Sequence, residues 1–340
     1  MSRGAGAVAR RERVTKPEGE SLSKLELAVR RRPMDGQAWG KLAEAYRESD
    51  QFELAAFAFT QATRLEPRES FFWWGLSLAR AEQGEKKEAL ECARTAARLA
   101  PEQPAALVNL GRQLLRSSLP HEAIAVLQDA IRRDPGWAMA RGLLGLAHYE
   151  AEQYAAAAEA LEASLRITPD QPVLWARLGV SLDEVGRPAA AIHALRTAVF
   201  HSPKDGWAWG RLGKACFHVG DHEEAMKAFD QAVALGFAPA GLWEHFGKTA
   251  AALGNLPRLE RACCELRRLN APAMARDLER VLRQMRPQQP PAAAAQAPPA
   301  PEPRRVEPLV PPLPGVPVMG KQPACRAAGP GGQRGGGRDE

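Results

Sequence analysis

Six prolines stand 34 residues apart, at Pro33, Pro67, Pro101, Pro135, Pro169 and Pro203. Alanines keep the same period at Ala55, Ala89, Ala123, Ala157, Ala191 and Ala225. A second alanine ladder runs Ala28, Ala62, Ala96, Ala130, then Ser164, Ala198 and Ala232. Trp39, Trp73, Trp175, Trp209 and Trp243 are separated by 34 residues or by 102, three periods. Independent ladders on one period mean that one structural unit is copied along the chain, and a unit this small cannot bury its apolar faces without neighbours. Length alone, 340 residues, would suggest two globular domains. The period replaces that expectation with a continuous array.

Each period reads as two helices. Trp39, Leu42, Ala43 and Tyr46 share one helical face, and Phe52, Ala55, Phe59 and Ala62 share another. Asp50 marks the turn between them, and Gly84, Gly186, Gly220 and Gly254 hold that place in other repeats, where a left-handed residue ends a helix. The period-ending proline cannot continue the second helix. The Ala55 ladder is expected to meet small residues of the first helix: Ala43, Ser77, Gly111, Gly145, Gly179, Gly213 and Gly247. The Ala62 ladder is expected to touch the following repeat. The tryptophans are expected to fill the space within a pair, each contributing about 2–3 kcal/mol by burial. Leu107 and Arg141 replace them in two repeats, which should be weaker there.

The pattern W-x2-L-G/A/S-x2-Y, followed by A-x3-F-x2-A-x4-P, resembles the tetratricopeptide repeat (TPR). Repeats fall at 36–69, 70–103, 104–137, 138–171, 172–205, 206–239 and 240–271, the last with Leu259 and Leu266 in place of the alanines. Residues 21–35 read as an orphan second helix and 272–285 as an amphipathic capping helix, which a solenoid end requires. The resemblance implies an all-α, right-handed superhelical solenoid whose first helices line a concave groove. Residues 1–20 and 286–340 read as disordered ends. The tail from Arg286 holds 14 of the 28 prolines and no aromatic residue, too little apolar surface for a core.

The net charge of +6 sits at the ends. Residues 1–33 carry nine Lys/Arg against four Asp/Glu and 286–340 carry seven against four, leaving 30 against 32 in between. A near-neutral middle argues against nucleic acid as its partner. No apolar run is long enough to span a bilayer and the leader lacks the apolar stretch of a secretory signal. Cys92, Cys216, Cys263, Cys264 and Cys325 are odd in number and follow no ligand spacing. Free thiols in a reducing, cytoplasmic setting are expected.

The resemblance also implies ligand-facing positions on each first helix: two residues before the tryptophan place, and one and five after it. These are occupied by Gln37, Gly40 and Glu44; Phe71, Trp74 and Leu78; Ala105, Val108 and Arg112; Met139, Gly142 and Leu146; Val173, Ala176 and Val180; Trp207, Gly210 and Lys214; and Gly241, Glu244 and Lys248. An apolar wall over repeats two to five marks a binding surface, with Phe71, Trp74 and Trp207 as anchors. Gly40, Gly142 and Gly210 are expected to leave gaps for a ligand. The alternative is that these side chains pack against neighbouring repeats, the tail or a second copy. The Lys/Asn/Arg set of chaperone-binding TPR clamps is missing, with a lone Arg177 at best, and Asn109 stands alone where sugar-transferring TPR enzymes carry an asparagine ladder.

No phosphate loop, nucleophile elbow or carboxylate pair is present, and no cofactor is implied. Cys216, His218 and His222 cluster in sequence but straddle a turn, which disfavours a metal site. In the tail, Arg305–Pro311 fits R-x-x-P-x-x-P and Pro311–Pro314 reads PPLP, ligand patterns for polyproline-reading modules, although such matches arise easily in so proline-rich a tail and a plain spacer is the expected reading. Arg334 and Arg338 could touch RNA. The expectation is a non-catalytic scaffold or adaptor that binds a partner protein through an apolar or amphipathic segment in its groove. The alternatives are a regulatory or targeting subunit of an enzyme, or a chain acting through its tail.

Overall fold

A computed structural model describes residues 22–286; the leader, the tail motifs and Cys325 lie outside the described residues. Among the described residues sixteen helices follow one another and no strand is present. After α1 (Leu22–Arg31) come seven pairs: α2 (Gly36–Glu48) with α3 (Phe52–Leu65), α4 (Ser70–Glu82) with α5 (Lys86–Leu99), and α6 (Pro104–Arg116) with α7 (Pro120–Arg133). Next are α8 (Ala138–Glu150) with α9 (Tyr154–Leu165), α10 (Pro172–Glu184) with α11 (Pro188–His201), α12 (Gly206–His218) with α13 (His222–Ala234), and α14 (Ala240–Ala252) with α15 (Leu256–Arg268). α16 (Pro272–Met285) packs on α14 and α15 and buries Ala275, Leu278 and Leu282. First-helix backbones approach those of neighbouring repeats, whereas second helices meet one another only through side chains, as in the Arg94–Glu122 and Arg258–Asp230 ion pairs at 2.7 and 2.9 Å. First helices therefore form the inner wall of an all-α superhelical solenoid.

Every turn within a pair is built alike. Asp50, Gly84, Ser118, Glu152, Gly186, Gly220 and Gly254 all have φ between 57° and 81°. The residue after each donates its N–H to a carbonyl five residues back, as Gln51 does to Tyr46 and Asn255 to Ala250. This is the Schellman arrangement, which satisfies carbonyls left free at a helix end. Ser118 and Glu152 take the left-handed conformation without being glycine, so the turn is imposed by the packing of the pair.

The alanine ladders are core. Ala55, Ala89, Ala123, Ala157, Ala191 and Ala225 are fully buried. The Ser77 hydroxyl donates to the Ala89 carbonyl at 2.8 Å, and a Cβ on Gly179 would lie 3.1 Å from the Ala191 oxygen. Helix backbones do meet at the small residues. Ala62, Ala96 and Ala130 are equally buried, but Ser164 in that register donates back to Ala138 of its own repeat at 2.8 Å, so this ladder is not reserved for the following repeat.

The tryptophan ladder differs from expectation. Trp39, Trp73, Trp175 and Trp209 are only half-buried, and full burial energy does not apply to them. Each indole N–H donates to the period-ending proline six residues earlier, at 2.9, 2.9, 2.7 and 3.0 Å. The two ladders are thus one device, a hook that fixes how the chain enters each first helix. Arg141 makes the same hook to the Pro135 carbonyl through Nη2 at 2.5 Å and Nε at 3.2 Å. Its repeat keeps the hydrogen bond that a leucine at Leu107 cannot supply.

The hook ends with repeat six. Phe237 and Ala271 occupy the proline register, preceded by Gly236 and Asn270 at φ 82° and 55°. Trp243, alone of the ladder, is buried, and its Nε1 has no partner.

Because a left-handed conformation costs a non-glycine residue about 1 kcal/mol or more, Glu152→Gly should stabilise the chain by about 0.5–1 kcal/mol and Gly186→Ala should destabilise it by about 1 kcal/mol. Urea unfolding followed by far-ultraviolet circular dichroism reads both; equal shifts of one sign would contradict the assignment.

Candidate functional site

The residues two places before each tryptophan position form the most exposed line on the inner wall. Phe71, Met139 and Val173 are 43%, 47% and 57% exposed, and Ala105 lies open between Phe71 and Met139. Glu69 caps α4 by accepting the Phe71 N–H at 3.3 Å, which fixes where the ring emerges. Phe71 stacks on Trp74 at a centroid distance of 5.6 Å and 25° between planes. Beside this pair opens a cavity of about 220 Å³ lined by Ser70, Phe71, Trp74, Gln103, Ala105 and Ala106. The short Ala105 side chain is what leaves the space.

The other two registers are less available than the sequence pattern implied. Val108 and Val180 are buried at 2% and 6% exposure, because their helix positions face the next first helix rather than the groove; they support the wall and do not present themselves to a ligand. Leu78 and Leu146 are half-buried. The three glycines are not gaps either. A Cβ on Gly40 would lie 2.3 Å from Phe72, on Gly142 2.9 Å from Leu174, and on Gly210 3.0 Å from Phe237. A side chain already occupies each space, from the following repeat at Gly40 and Gly142 and from the turn after α13 at Gly210.

Charge enters toward the C-terminal repeats. Arg112 is half-buried with Nη2 2.9 Å from Met139 Sδ, and burial pulls its guanidinium below the usual arginine range. Lys214 donates to Glu184 at 3.2 Å. Trp207 is not the bare anchor expected: the Arg177 guanidinium lies 4.1 Å from its ring centre and that of Arg211 5.1 Å. Arg177 also lies 4.9 Å from the Tyr149 ring. A second inner cavity, of about 230 Å³, is lined by Gly210, Arg211, Lys214, Phe237, Pro239, Gly241, Leu242 and His245. Arg177, Arg211 and His245 share a register, two residues after the tryptophan place, that the three ligand-facing positions do not sample.

The remaining sequence candidates separate. Cys216 is buried, His218 Nδ1 faces Asp183 at 3.2 Å, and His222 packs on Phe217. Among the described residues no three His, Cys, Asp or Glu side chains converge as a metal set. Cys263 is buried and Cys264 exposed. Among the described residues, no helix is long and apolar enough to cross a membrane.

Stacked hairpins sharing one core, with an inner wall of first helices, define an α-solenoid repeat protein. The sequence profile of the tetratricopeptide repeat matches residues 41–104, 108–172 and 177–240, together more than half of the chain, and the chain belongs to that family. No curated protein matches it. Among solved structures it is similar to the APC/C hetero-tetramer Cut9–Hcn1, with TM-score 0.56 and 19% identity over 67% of this chain and 46% of that one. It is also similar to PilF of Pseudomonas aeruginosa, with TM-score 0.55 and 16% identity over 63% of this chain and 99% of that one. Likeness at this level concerns the fold.

Burial pushes the thiols of Cys92 and Cys216 up to about 11, so at about pH 8 roughly one in a thousand is thiolate. Iodoacetamide should therefore modify Cys264 at least about tenfold faster than Cys92 or Cys216, as read by mass spectrometry of digests. Comparable rates in the native protein would contradict the assigned burial.

Proposed function

We propose that the chain is a non-catalytic TPR scaffold or adaptor, active in the cytoplasm, that holds a partner protein segment along its inner wall. The observation that carries this reading is the stacked Phe71–Trp74 pair beside its open cavity. A phenylalanine 43% exposed on a rigid helix gives apolar contact area without the entropy of ordering a loop. Met139 and Val173 continue the exposed apolar line in the same register, so a bound segment has contacts across repeats two to five. Leu78, Arg112 and Leu146 border that line, and Trp207 and Lys214 lie at its far end.

An amphipathic helix or extended segment with a large apolar residue is the occupant that this surface suits. Phe71→Ser with Trp74→Ser in the full chain should weaken binding of peptides selected from a random library by about tenfold or more. Helicity should be unchanged, because Phe71 is exposed and Trp74 half-buried, and neither belongs to the buried core. Loss of helicity in that variant would make the pair part of the core, and undiminished peptide binding would move the site elsewhere.

A further inference from the structure

Half-buried cations of the first helices mostly have partners. Arg47, Arg80 and Lys214 bond carboxylates, and Arg141 bonds the Pro135 carbonyl. Arg177 and Arg211 do not: among the described residues neither forms an ion pair within 4.0 Å. Arg177 spends one long bond, 3.5 Å to the Tyr149 hydroxyl, and among the described residues no hydrogen bond engages the Arg211 side chain. Instead the two guanidinium groups are held by rings, in the order Tyr149, Arg177, Trp207, Arg211. A guanidinium stacked by its face keeps its five N–H donors at its edge. Two of them fixed this way form a prepared fork for an anion, with the side-chain ordering already met by the fold.

The nearby carboxylates are engaged elsewhere or set apart. Lys214 holds Glu184 at 3.2 Å, His218 holds Asp183 at 3.2 Å, and Lys248 holds Glu244 at 2.6 Å. Burial raises the Glu150 carboxyl against the opposing pull of Arg177, without an ion pair between them. Arg211 also lines the cavity floored by Phe237, Pro239 and Leu242, which has room for one large aliphatic side chain. The Arg177 and Arg211 guanidinium groups lie 4.1 and 5.1 Å from the Trp207 ring centre, in the space where a nucleobase would stack. Residues 34–285 carry 30 basic and 32 acidic side chains, so the solenoid also lacks the broad positive field that a nucleic acid requires.

We infer that the Tyr149–Arg177–Trp207–Arg211 stack receives one or two Asp or Glu side chains of a partner protein segment, with a neighbouring aliphatic residue of that segment seated in the Phe237 cavity. This rests on the groove reading above and specifies the chemistry of the partner at repeats five to seven.

A random dodecapeptide display library panned on the full chain tests it. The recovered peptides, resynthesised, should be enriched in Asp or Glu beside Leu, Met or Phe. Their affinity should fall about tenfold or more in Arg177→Gln with Arg211→Gln, and also when salt rises from about 0.1 M to about 0.5 M. Arg177→Lys with Arg211→Lys retains charge but not the planar stack and should lose part of the affinity. It carries the test if the glutamine variant loses helicity. Peptides without acidic enrichment, or acidic peptides held equally by the lysine and glutamine variants, overturn this inference while the groove reading stands on its dependence on Phe71 and Trp74. Recovery of no peptide overturns both. Polyuridylate retained as tightly as the acidic peptides overturns the assignment to a protein partner.

Discussion

A helix pair of this sequence carries apolar surface on two sides, toward the pair before it and the pair after it. No pair is therefore stable alone, and the fold exists only because neighbours stack at a fixed pitch. The pitch is set by backbone approach at small residues. A Cβ on Gly179 would lie 2.5 Å from Leu195 Cγ and 3.1 Å from the Ala191 carbonyl oxygen, distances that a flexible side chain could not relieve by moving its tip. Stacking also leaves two raw ends. α16 covers one with Leu278 and Leu282, and α1 covers the other with Leu25 and Val29, the two helices being half-units that present polar surface outward.

Where the chain leaves each second helix decides what the groove contains. In the early repeats the proline ends the helix, and its carbonyl is captured by Trp39, Trp73, Trp175, Trp209 or Arg141. After α13 a left-handed Gly236 takes over, with the Phe237 N–H bonded to the Ala232 carbonyl at 2.9 Å. That change turns Phe237 over Gly206 and Gly210, where a Cβ would come within 2.7 and 3.0 Å of it. It creates the floor of the C-terminal cavity, and the same change leaves Trp243 Nε1 without an acceptor. One altered turn links a small cost in the core to a new surface on the inner wall.

Regular packing was legible from spacing, because burial at a helix contact restricts residue size at every copy of the unit. The hook was not, since a hydrogen bond from an indole to a main-chain carbonyl leaves no mark in an apolar pattern, and a half-buried tryptophan reads like a buried one. Turn residues were half legible: glycine announces a left-handed conformation, whereas Ser118 and Glu152 adopt it under the pressure of packing. Exposure on the inner wall was legible where it depends on a single helix, as at Phe71, Met139 and Val173. Legibility failed at Val108, Val180, Gly40, Gly142 and Gly210, where the answer depends on which neighbouring side chain the superhelix brings across. The arginine stack lies further out of reach. Arg177 and Trp207 are 30 residues apart and meet only because adjacent first helices touch.

Partial desolvation of Arg177 and Arg211 without a counter-ion disfavours the folded state, and stacking on Tyr149 and Trp207 offsets part of that. A protein selected for stability alone would complete the pair with a carboxylate, as its own sequence does at Lys214 with Glu184 and at Arg116 with Glu82. Two guanidinium groups left without a carboxylate on a rigid wall fit the inference that the missing charge comes from a partner. On the proposed reading, the apolar end at Phe71 and Trp74 supplies contact area and the cationic end supplies direction, since a segment bound backwards would set its acidic side chains against an aromatic cavity with nothing to receive them. A solenoid suits this division because each repeat contacts only its neighbours, so one region of the wall can change chemistry without disturbing the other.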